Sequence, residues 1–292
     1  MQYVIMDLEW NSAFSKKLNG YLNEIIEIGA VKLNDRLKNT GDFRMFVRAQ
    51  LTKKIHTRIK NLTHIQNEDL TNGLPFTKAM SEFKKWIGSE ETVILTWGET
   101  DLRVLIENFK YFNGIPYIPF LKQYGDLQVY VQEYLHWPGE QQLGLSAAAQ
   151  LLAVDTQGLE LHRALTDSIL SAGCMQNIFH KLDFSSFVRI CDQTFYDRLS
   201  FKAYYISDIN SPFVDKAYLH CKCENCSSSM ERLSHWEYKS QAFRAIFYCR
   251  FCNKKYRYSV RYKRNYDSVT VRPRLLLLQE EEKEKDEKIP VK

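Results

Sequence analysis

The feature that most constrains the fold is a hydrophobic strand near the N-terminus that ends in two carboxylates. Residues 2–8 are mostly aliphatic, β-branched or aromatic, which predicts a short buried strand. Asp7 and Glu9 stand two positions apart, so they project from the same face of this strand. Two like charges this close repel unless a cation neutralises them, and carboxylate oxygens suit Mg²⁺ or Mn²⁺. The motif predicts a metal-binding strand end; the alternative for so short a motif is two solvated acids.

The order of elements predicts an α/β domain with a mixed central β-sheet flanked by helices. Strands come first and are then interleaved with helices, an order typical of mixed sheets. The patterns predict strands over 2–8, 25–33, 43–47 and 93–97. They predict helices over 64–71, 76–87, 100–112, 127–136, 144–152 and 164–181.

Charge is distributed unevenly along the 292 residues, although the net charge is only +5. Residues 1–220 hold 23 basic and 25 acidic side chains, whereas residues 221–278 hold 13 basic and 4 acidic ones. A basic module joined to a near-neutral body indicates contact with a polyanion. We therefore expect a main domain over 1–182, a connector over 183–220, a basic module over 221–278 and a charged, disordered tail over 279–292.

Five of the seven cysteines fall within the basic module. Cys223 and Cys226 form one C-x-x-C knuckle, and Cys249 and Cys252 form a second one; 22 residues separate the two knuckles. Paired knuckles near this spacing are typical of a zinc ribbon, whose four thiolates close the shell around one structural Zn²⁺. The pattern predicts a small zinc-ribbon-like β module. Cys221 leaves the choice of ligands open, and unliganded reduced cysteines are the alternative.

Basic and aromatic residues alternate after the second knuckle. From Lys255 to Arg261 this alternation places tyrosines and basic residues on opposite faces of a strand. One face would pack on the ribbon and the other would contact phosphates, with aromatic side chains available for stacking on bases. The alternative is a solubilising surface or a protein-docking patch.

Three further side chains with chemical potential stand at predicted element boundaries. Asp101 opens a helix just after the strand that ends near Trp97, a position where an acid is also a common helix cap. His162 and Asp167 are five residues apart and do not share a face of a regular helix. They converge when His162 lies in the loop before the helix and Asp167 lies in its first turns. An ordinary surface histidine is the alternative.

In this order, D-x-E on a strand, W-G-x-x-D at a strand–helix junction and H-x-A-x-x-D on a late helix resemble a known family. It is the DEDDh family of 3′–5′ exonucleases, the DnaQ-like branch of the ribonuclease H-like superfamily. The resemblance covers about residues 1–182, and Asp7-Leu8-Glu9-Trp10-Asn11 is most similar to the KapD-like and histone-mRNA-exonuclease-like subgroup. The family often has Thr-Gly-Ile, near the terminal nucleotide, where this chain has Thr63-His64-Ile65.

The resemblance implies a catalytic centre that holds two Mg²⁺ or Mn²⁺ ions. Asp7 would bridge the ions, Glu9 and Asp167 would complete the first site, Asp101 would support the second through water, and His162 would be the general base. Two such ions clamp the attacking and leaving oxygens of an in-line displacement. The expected reaction is stepwise hydrolysis of single-stranded nucleic acid from the 3′ end to nucleoside monophosphates, with RNA slightly favoured over DNA.

An exonuclease must also hold a free 3′ end. Candidates for wedging or stacking the last bases are Leu8, Trp10, Leu62, His64 and Trp97. Stacking contributes about 1–3 kcal/mol per base, whereas Leu8 and Leu62 are more typical of a core. Two alternative functions stay open: a module that binds nucleic acid or a partner without activity, and a DNA proofreading or repair exonuclease.

The sequence shows no feature of a membrane protein. Its apolar runs are shorter than the ~18 residues of a membrane span. The N-terminal apolar run is interrupted by Asp7 and lacks the pattern of a secretory signal. We therefore expect a cytoplasmic protein with no membrane partner.

Overall fold

The computed structural model describes residues 1–52, 54–138, 141–156 and 162–278, and the chain forms two compact units, Met1–Ser200 and Phe201–Lys292. The expected connector over 183–220 is divided between them. Its first part buries Phe195 and Leu199 in the core of the first unit, whereas Ile206 and Val214 are buried in the core of the second. These apolar side chains explain why the segment is not a linker. The expected tail over 279–292 lies outside the described residues.

The first unit is built on a mixed six-stranded sheet with the strand order β3-β2-β1-β4-β5-β6. The strands are β1 (Gln2–Ser15), β2 (Gly20–Leu33), β3 (Asn39–Phe46), β4 (Thr92–Thr96), β5 (Gln123–Asp126) and β6 (Val188–Ile190). Strand β1 runs antiparallel to β2 and parallel to β4, so the strand that carries Asp7 and Glu9 lies inside the sheet. The predicted mixed α/β sheet is confirmed.

Eight α-helices are described in the first unit. They are α1 (Thr57–Thr63), α2 (Asn67–Asn72), α3 (Phe76–Ile87), α4 (Thr100–Asn113), α5 (Leu127–Tyr134), α6 (Leu145–Leu151), α7 (Ala164–Ile178) and α8 (Gln193–Ser200). The helix predicted over 64–71 is present as α2 but begins three residues later, because His64 takes a left-handed backbone conformation that ends the preceding helix α1. Helix α1 was not predicted from the sequence. A capping box between Gln66 and Asp69 then begins α2.

Strands β1 and β2 are longer than the sequence pattern predicts. Their antiparallel pairing continues past Glu9 to the Ser15↔Gly20 pair, after a register shift between Glu9 and Trp10. The extension buries Ala13 and Leu22, although the surrounding residues are too polar to show a strand pattern. The bulge follows directly after Glu9, at the point where a strand most readily changes the direction of its side chains.

The alternation of β1 divides the core into two layers. Val4, Met6 and Leu8 face the layer formed with α3 and α4. Tyr3 and Ile5 face the layer formed with α5, α6 and α7. Because odd-numbered residues share this second face, Asp7 and Glu9 continue the surface on which α7 packs.

The second unit is a small β module, as the sequence predicts. Its strands are β7 (Tyr204–Tyr205), β8 (Glu231–Arg232), β9 (Glu237–Lys239), β10 (Ala242–Cys249), β11 (Lys254–Arg264) and β12 (Val269–Leu277). They form one sheet with the main order β12-β11-β10-β8, to which β7 and β9 add at β11 and β10. Phe243, Phe247 and Tyr262 fill its core. Among the helices that the structure describes, none is long and apolar enough to cross a membrane.

Candidate active site

Three carboxylates meet on the α7 side of the first sheet. One oxygen each of Asp7, Glu9 and Asp167 lies within 4.8 Å of the others, and all three side chains are partly accessible. Asp7 and Glu9 come from β1, whereas Asp167 comes from the first turn of α7. This donor set is suited to a divalent cation, because hard cations prefer carboxylate oxygens.

Helix α7 reaches the two strand carboxylates because a glycine lies beneath its first turn. Gly29 on β2 pairs with Asp7, and a Cβ at position 29 would overlap the backbone of Ala164 and Leu165. The Ser168 hydroxyl donates a hydrogen bond to the Gly29 carbonyl at 3.1 Å. The missing side chain therefore sets the close approach that places Asp167 beside Asp7.

Asp101 lies next to this cluster but has a different environment. It occupies the first turn of α4, directly after β4, and is only 5% exposed. Its Oδ1 accepts a hydrogen bond from the backbone N–H of Leu8 at 3.0 Å, which ties the start of α4 to β1. Asp101 is not one of the three carboxylates within 4.8 Å of one another, so any contact with a shared ion would be less direct.

His162 lies in the loop directly before α7. It is exposed, and its φ of 63° places it in the left-handed region. The backbone N–H of His162 donates a hydrogen bond to the Asp167 carboxylate, and the charge of its imidazole acts on the same group. Both effects lower the pKa of Asp167, although burial raises it more. His162 is thus beside the carboxylates without being part of their cluster.

Burial and mutual repulsion make the carboxylates reluctant to ionise. Burial raises the pKa of Glu9 to about 8, with further contributions from Asp167, Glu27 and Asp101. Burial, then the charge of Asp101, raises the pKa of Asp7 well above its usual value. Burial also raises the pKa of Asp101 to about 7. A bound cation would reverse this preference, because an opposite charge favours the ionised form.

A buried ion pair beside Glu9 is a feature that the sequence reasoning missed. Glu27 is fully buried on β2 and pairs with Glu9 in the sheet register. Its carboxylate accepts two hydrogen bonds from Arg163, at 2.7 and 3.1 Å, and one from Arg44 at 2.8 Å. Arg163 directly follows His162, so this pair anchors the histidine loop to the sheet. The only local signal was a charged residue inside the hydrophobic run of β2.

The five candidates for holding a 3′ end lie in contrasting environments. Leu8 is 2% exposed and packs in the core, and Trp10 is partly buried against the same cluster. Leu62 is 42% exposed, and His64 is exposed with a φ of 57°. That conformation favours glycine, the residue often found there in the DEDDh family. The indole N–H of Trp97 donates to the Leu143 carbonyl at 3.0 Å, and the ring is partly buried.

The second unit brings together the four cysteines of the two knuckles. Cys223 and Cys252 have their sulfurs 3.8 Å apart, and those of Cys226 and Cys249 are 3.5 Å apart. A tetrahedral site with metal–sulfur bonds of 2.3 Å has sulfur–sulfur edges of about 3.8 Å. The Tyr256 hydroxyl, 3.5 Å from the sulfur of Cys223, lowers the pKa of that thiol to about 6. This geometry fits zinc.

Cys221 is not a member of this cluster. Its thiol is partly buried against the hydrophobic core of the second unit, and burial raises its pKa to about 12. The structure thus groups the four cysteines of the C-x-x-C knuckles and leaves out the fifth candidate. The predicted alternation of tyrosines and basic residues after the second knuckle is also present. Tyr256, Tyr258 and Tyr262 are buried, whereas Arg257 and Arg261 are exposed.

Sequence comparison finds one family and two curated relatives that bear on this site. The exonuclease family (RNase_T) matches residues 4–175. The probable 3′-5′ exonuclease KapD of Bacillus subtilis is 30% identical over 169 residues, which cover 57% of this chain and 78% of that protein. The PolC-type DNA polymerase III of Staphylococcus haemolyticus is 33% identical over 86 residues, 30% of this chain but only 5% of the polymerase.

Solved structures share the fold of the first unit. A 3′-exonuclease described in 3′-end specific recognition of a histone mRNA stem-loop matches with a TM-score of 0.55 at 20% identity, over 65% of this chain and 84% of that one. The nuclease domain of 3′hExo, a DEDDh family member bound to rAMP, has a TM-score of 0.54 at 19% identity, over 65% and 96% of the two chains. Cell-death related nuclease 4 has a TM-score of 0.52 at 20% identity, over 61% and 64%.

Proposed function

This chain belongs to the exonuclease family and is a 3′–5′ exonuclease, and from that premise we propose that it is of the DEDDh type and degrades single-stranded nucleic acid. It would release nucleoside monophosphates one at a time, with RNA slightly favoured over DNA. The match over residues 4–175 confirms the family, fold class and enzyme class that the sequence predicts. The substrate and the roles of individual residues are the proposed part.

The observation that carries the proposal is the cluster of Asp7, Glu9 and Asp167. Three carboxylates within 4.8 Å repel one another, and Arg163, whose charge favours the ionised form of Glu9, is engaged with Glu27. Burial adds to the cost of ionising them. A site of this kind fits divalent cations, which neutralise clustered carboxylates while leaving positions for substrate.

The residues then have separate roles. Asp7, Glu9 and Asp167 would hold two Mg²⁺ or Mn²⁺ ions, with Asp101 acting through water. When bound, such ions lower the pKa of water and neutralise charge on the phosphate. His162 would accept the proton of the attacking water, because its exposed imidazole lies beside the cluster and a histidine side chain can act as a general base. The hydrogen bond from Leu8 to Asp101 keeps α4 in register with β1.

For the 3′ end, the partly accessible side chains are better suited than the core residue. Leu62 and His64 are exposed at the end of α1, and Trp10 follows Glu9 on β1. We assign these three to contacts with terminal bases. Leu8 supports the site from within the core, and Trp97 is restrained by its hydrogen bond to Leu143.

In the second unit, Cys223, Cys226, Cys249 and Cys252 would hold one structural Zn²⁺. Four thiolates close a tetrahedral shell and leave no position for substrate. The role of this ion is therefore to stabilise the second unit and not to take part in hydrolysis.

The direct test is the shortening of 5′-labelled oligonucleotides in the presence of Mn²⁺ or Mg²⁺, with the Asp7→Ala variant as control. Products that shorten stepwise with the wild-type chain, and not with the variant, support the proposal. RNA, DNA and RNA with a 3′-terminal deoxynucleotide are compared to separate an RNA exonuclease from a DNA repair exonuclease. Absence of shortening on every substrate would leave only a binding module.

A further inference from the structure

The open face of the second sheet carries five arginines, which we name the arginine face. They are Arg244 on β10, Arg257 and Arg261 on β11, and Arg272 and Arg274 on β12. Together with Ser259 and a few apolar neighbours they line one shallow cavity of about 420 Å³. Arg244 is half-buried and the other four are exposed.

Strand alternation explains why the arginines share one face. On β11 the side chains of Tyr258, Val260 and Tyr262 are buried in the core, so the intervening residues point the other way. The tyrosines therefore do not stack on bases, one of the roles considered for the aromatic residues of this stretch. The groups on this face that could bind a ligand are chiefly the guanidinium groups of the arginines.

The sheet register concentrates the charge. Arg261 pairs directly with Arg272, and Ser259 stands between Arg244 and Arg274 on the two neighbouring strands. Like charges directly opposite each other on neighbouring strands destabilise a sheet. The arrangement thus costs folding free energy unless an anion neutralises it.

No carboxylate in the described part of the chain neutralises these arginines. None of the five makes an ion pair there, in contrast to Arg250, which pairs with Glu231. Glu237 is next to Arg244 in the sheet register, but no ion pair joins them. The guanidinium groups of the arginine face are therefore available to an external anion.

The size of the arginine face favours a polyanion over a single phosphate. Arg257 and Arg261 are four residues apart on one strand, which separates them by about 13 Å. One nucleic-acid strand carries a phosphate every ~3.4 Å along a helix axis, and its phosphates are farther apart when the strand is extended, so this distance is long enough for more than one phosphate. Guanidinium groups bind phosphate oxygens in bidentate geometry, and such contacts carry no base preference.

We propose that the arginine face is a phosphate-backbone subsite that binds the nucleic-acid substrate of this exonuclease. The inference rests on the proposed function for the choice of nucleic acid over other polyanions. The binding is electrostatic and independent of base sequence. It increases affinity for the substrate and takes no part in bond cleavage.

The test measures binding without cleavage, in the full-length chain carrying Asp7→Ala. In this background, Arg261→Gln with Arg272→Gln is compared with a matched control, Lys216→Gln with Arg232→Gln. Both pairs remove two positive charges from exposed positions of the second unit. Arg232 lies on the face of the sheet opposite to the arginine face, because it pairs directly with Phe247, whose side chain is in the core. Fluorescence anisotropy with labelled single-stranded RNA and DNA of the same sequence gives Kd over a series of salt concentrations.

The arginine-face variant is expected to lose about tenfold in affinity at low salt. The slope of log K against log salt should become shallower by about 1.4, or about 0.7 for each lost phosphate contact on a single strand. The control variant should keep the affinity and slope of the parent. Circular dichroism of both variants verifies that the second unit stays folded.

Equal affinities and slopes for the two double variants would overturn the proposal. So would an arginine-face variant that keeps its affinity for RNA and DNA but loses affinity for polyglutamate, since that result assigns the face to an acidic protein. Hydrolysis by the wild-type chain is measured separately. A wild-type chain without hydrolysis, combined with loss of binding by the arginine-face variant, rejects the proposed function and leaves the subsite standing.

Discussion

The carboxylate cluster of the first unit and the cysteine cluster of the second are assembled in opposite ways. The carboxylates come from β1 and α7, more than half the chain apart, and meet only because α7 packs on Gly29. The cysteines come from two local knuckles, each formed within four residues. The first cluster thus depends on the tertiary fold, whereas the second can be predicted almost entirely from the spacing of cysteines in the sequence.

The two units also differ in how far their folding should depend on a bound metal. The first unit has two extensive hydrophobic layers around its sheet and does not depend on a metal for its core. The second unit has a small core beside the cysteines. Small domains with little apolar core commonly depend on a structural metal for stability. Removing the metal should therefore inactivate the first unit and unfold the second.

The largest expected effect is the loss of the proposed zinc site of the second unit. Cys249→Ser removes one of four ligands, and structural zinc sites contribute about 10–16 kcal/mol of apparent binding free energy that is coupled to folding. Metal analysis should give about one zinc per wild-type chain. Limited proteolysis of the variant should cleave the second unit and leave an intact fragment close to Met1–Ser200.

Cys221→Ser is the matched control for this experiment, because Cys221 lies outside the cluster. It should retain the zinc and the protease resistance of the wild type. Purified wild-type protein without zinc, or a Cys249→Ser variant that is as resistant as Cys221→Ser, would contradict the contrast between the two units.

The next effect is on catalysis alone. Asp7→Asn removes a charge from the centre of the carboxylate cluster and keeps the shape of the side chain. Hydrolysis should fall by about 10³-fold, because metal-ion stabilisation of the transition state contributes several kcal/mol. Metal-free stability should not decrease, since the substitution relieves repulsion with Asp101 and Glu9. Single-turnover rates and thermal melting of the same samples give the two readouts; a large loss of Tm would show that Asp7 is structural.

A smaller effect is expected at the buried ion pair. Among the described residues, Arg163→Met leaves the buried Glu27 carboxylate with Arg44 as its one cationic partner, and breaking such pairs costs about 3–5 kcal/mol. Adding Glu27→Gln should recover part of this loss, because it removes a buried charge that Arg44 alone compensates incompletely. Denaturant unfolding of the single and double variants measures both steps. Equal stability of Arg163→Met and the wild type would show that the pair does not anchor the loop before α7.

The last expected effect is the pH dependence of the metal-free first unit. Burial raises the pKa of Glu9 from 4.5 to about 8 and that of Asp101 from 3.8 to about 7. The folded chain therefore binds more protons than the unfolded chain between these values. This contribution to stability is complete below about pH 4 and is lost as pH rises through about 7 to 8.

Calorimetry of the metal-free chain should accordingly show a Tm that falls from about pH 5 to pH 8. Mg²⁺ should raise the Tm more at the higher pH, because it binds the deprotonated carboxylates. The Glu9→Gln variant should show a weaker dependence on pH. A metal-free Tm that rises over this interval would mean that these carboxylates are stabilised as anions without a cation.

The sequence was sufficient where the determining pattern is local. Hydrophobic strands, helical periodicity and the knuckle spacing predict the mixed sheet and the grouping of Cys223 with Cys252. It was insufficient where the partner is distant: Glu27 and Arg163 are 136 residues apart, and neither neighbourhood indicates the other. The start of the helix predicted over 64–71 was misplaced for a different reason, because His64 adopts a left-handed backbone conformation that is uncommon for residues other than glycine.

Gly29 has a consequence for anyone who builds variant libraries of this enzyme. Its backbone is the floor on which the first turn of α7 rests, and even a methyl group there would displace Ala164 and Leu165. Substitutions at position 29 therefore cannot have effects that increase gradually with side-chain size, because every replacement moves the helix that carries Asp167. Diversity for altered activity belongs at the accessible positions around the carboxylates, with this one codon held constant.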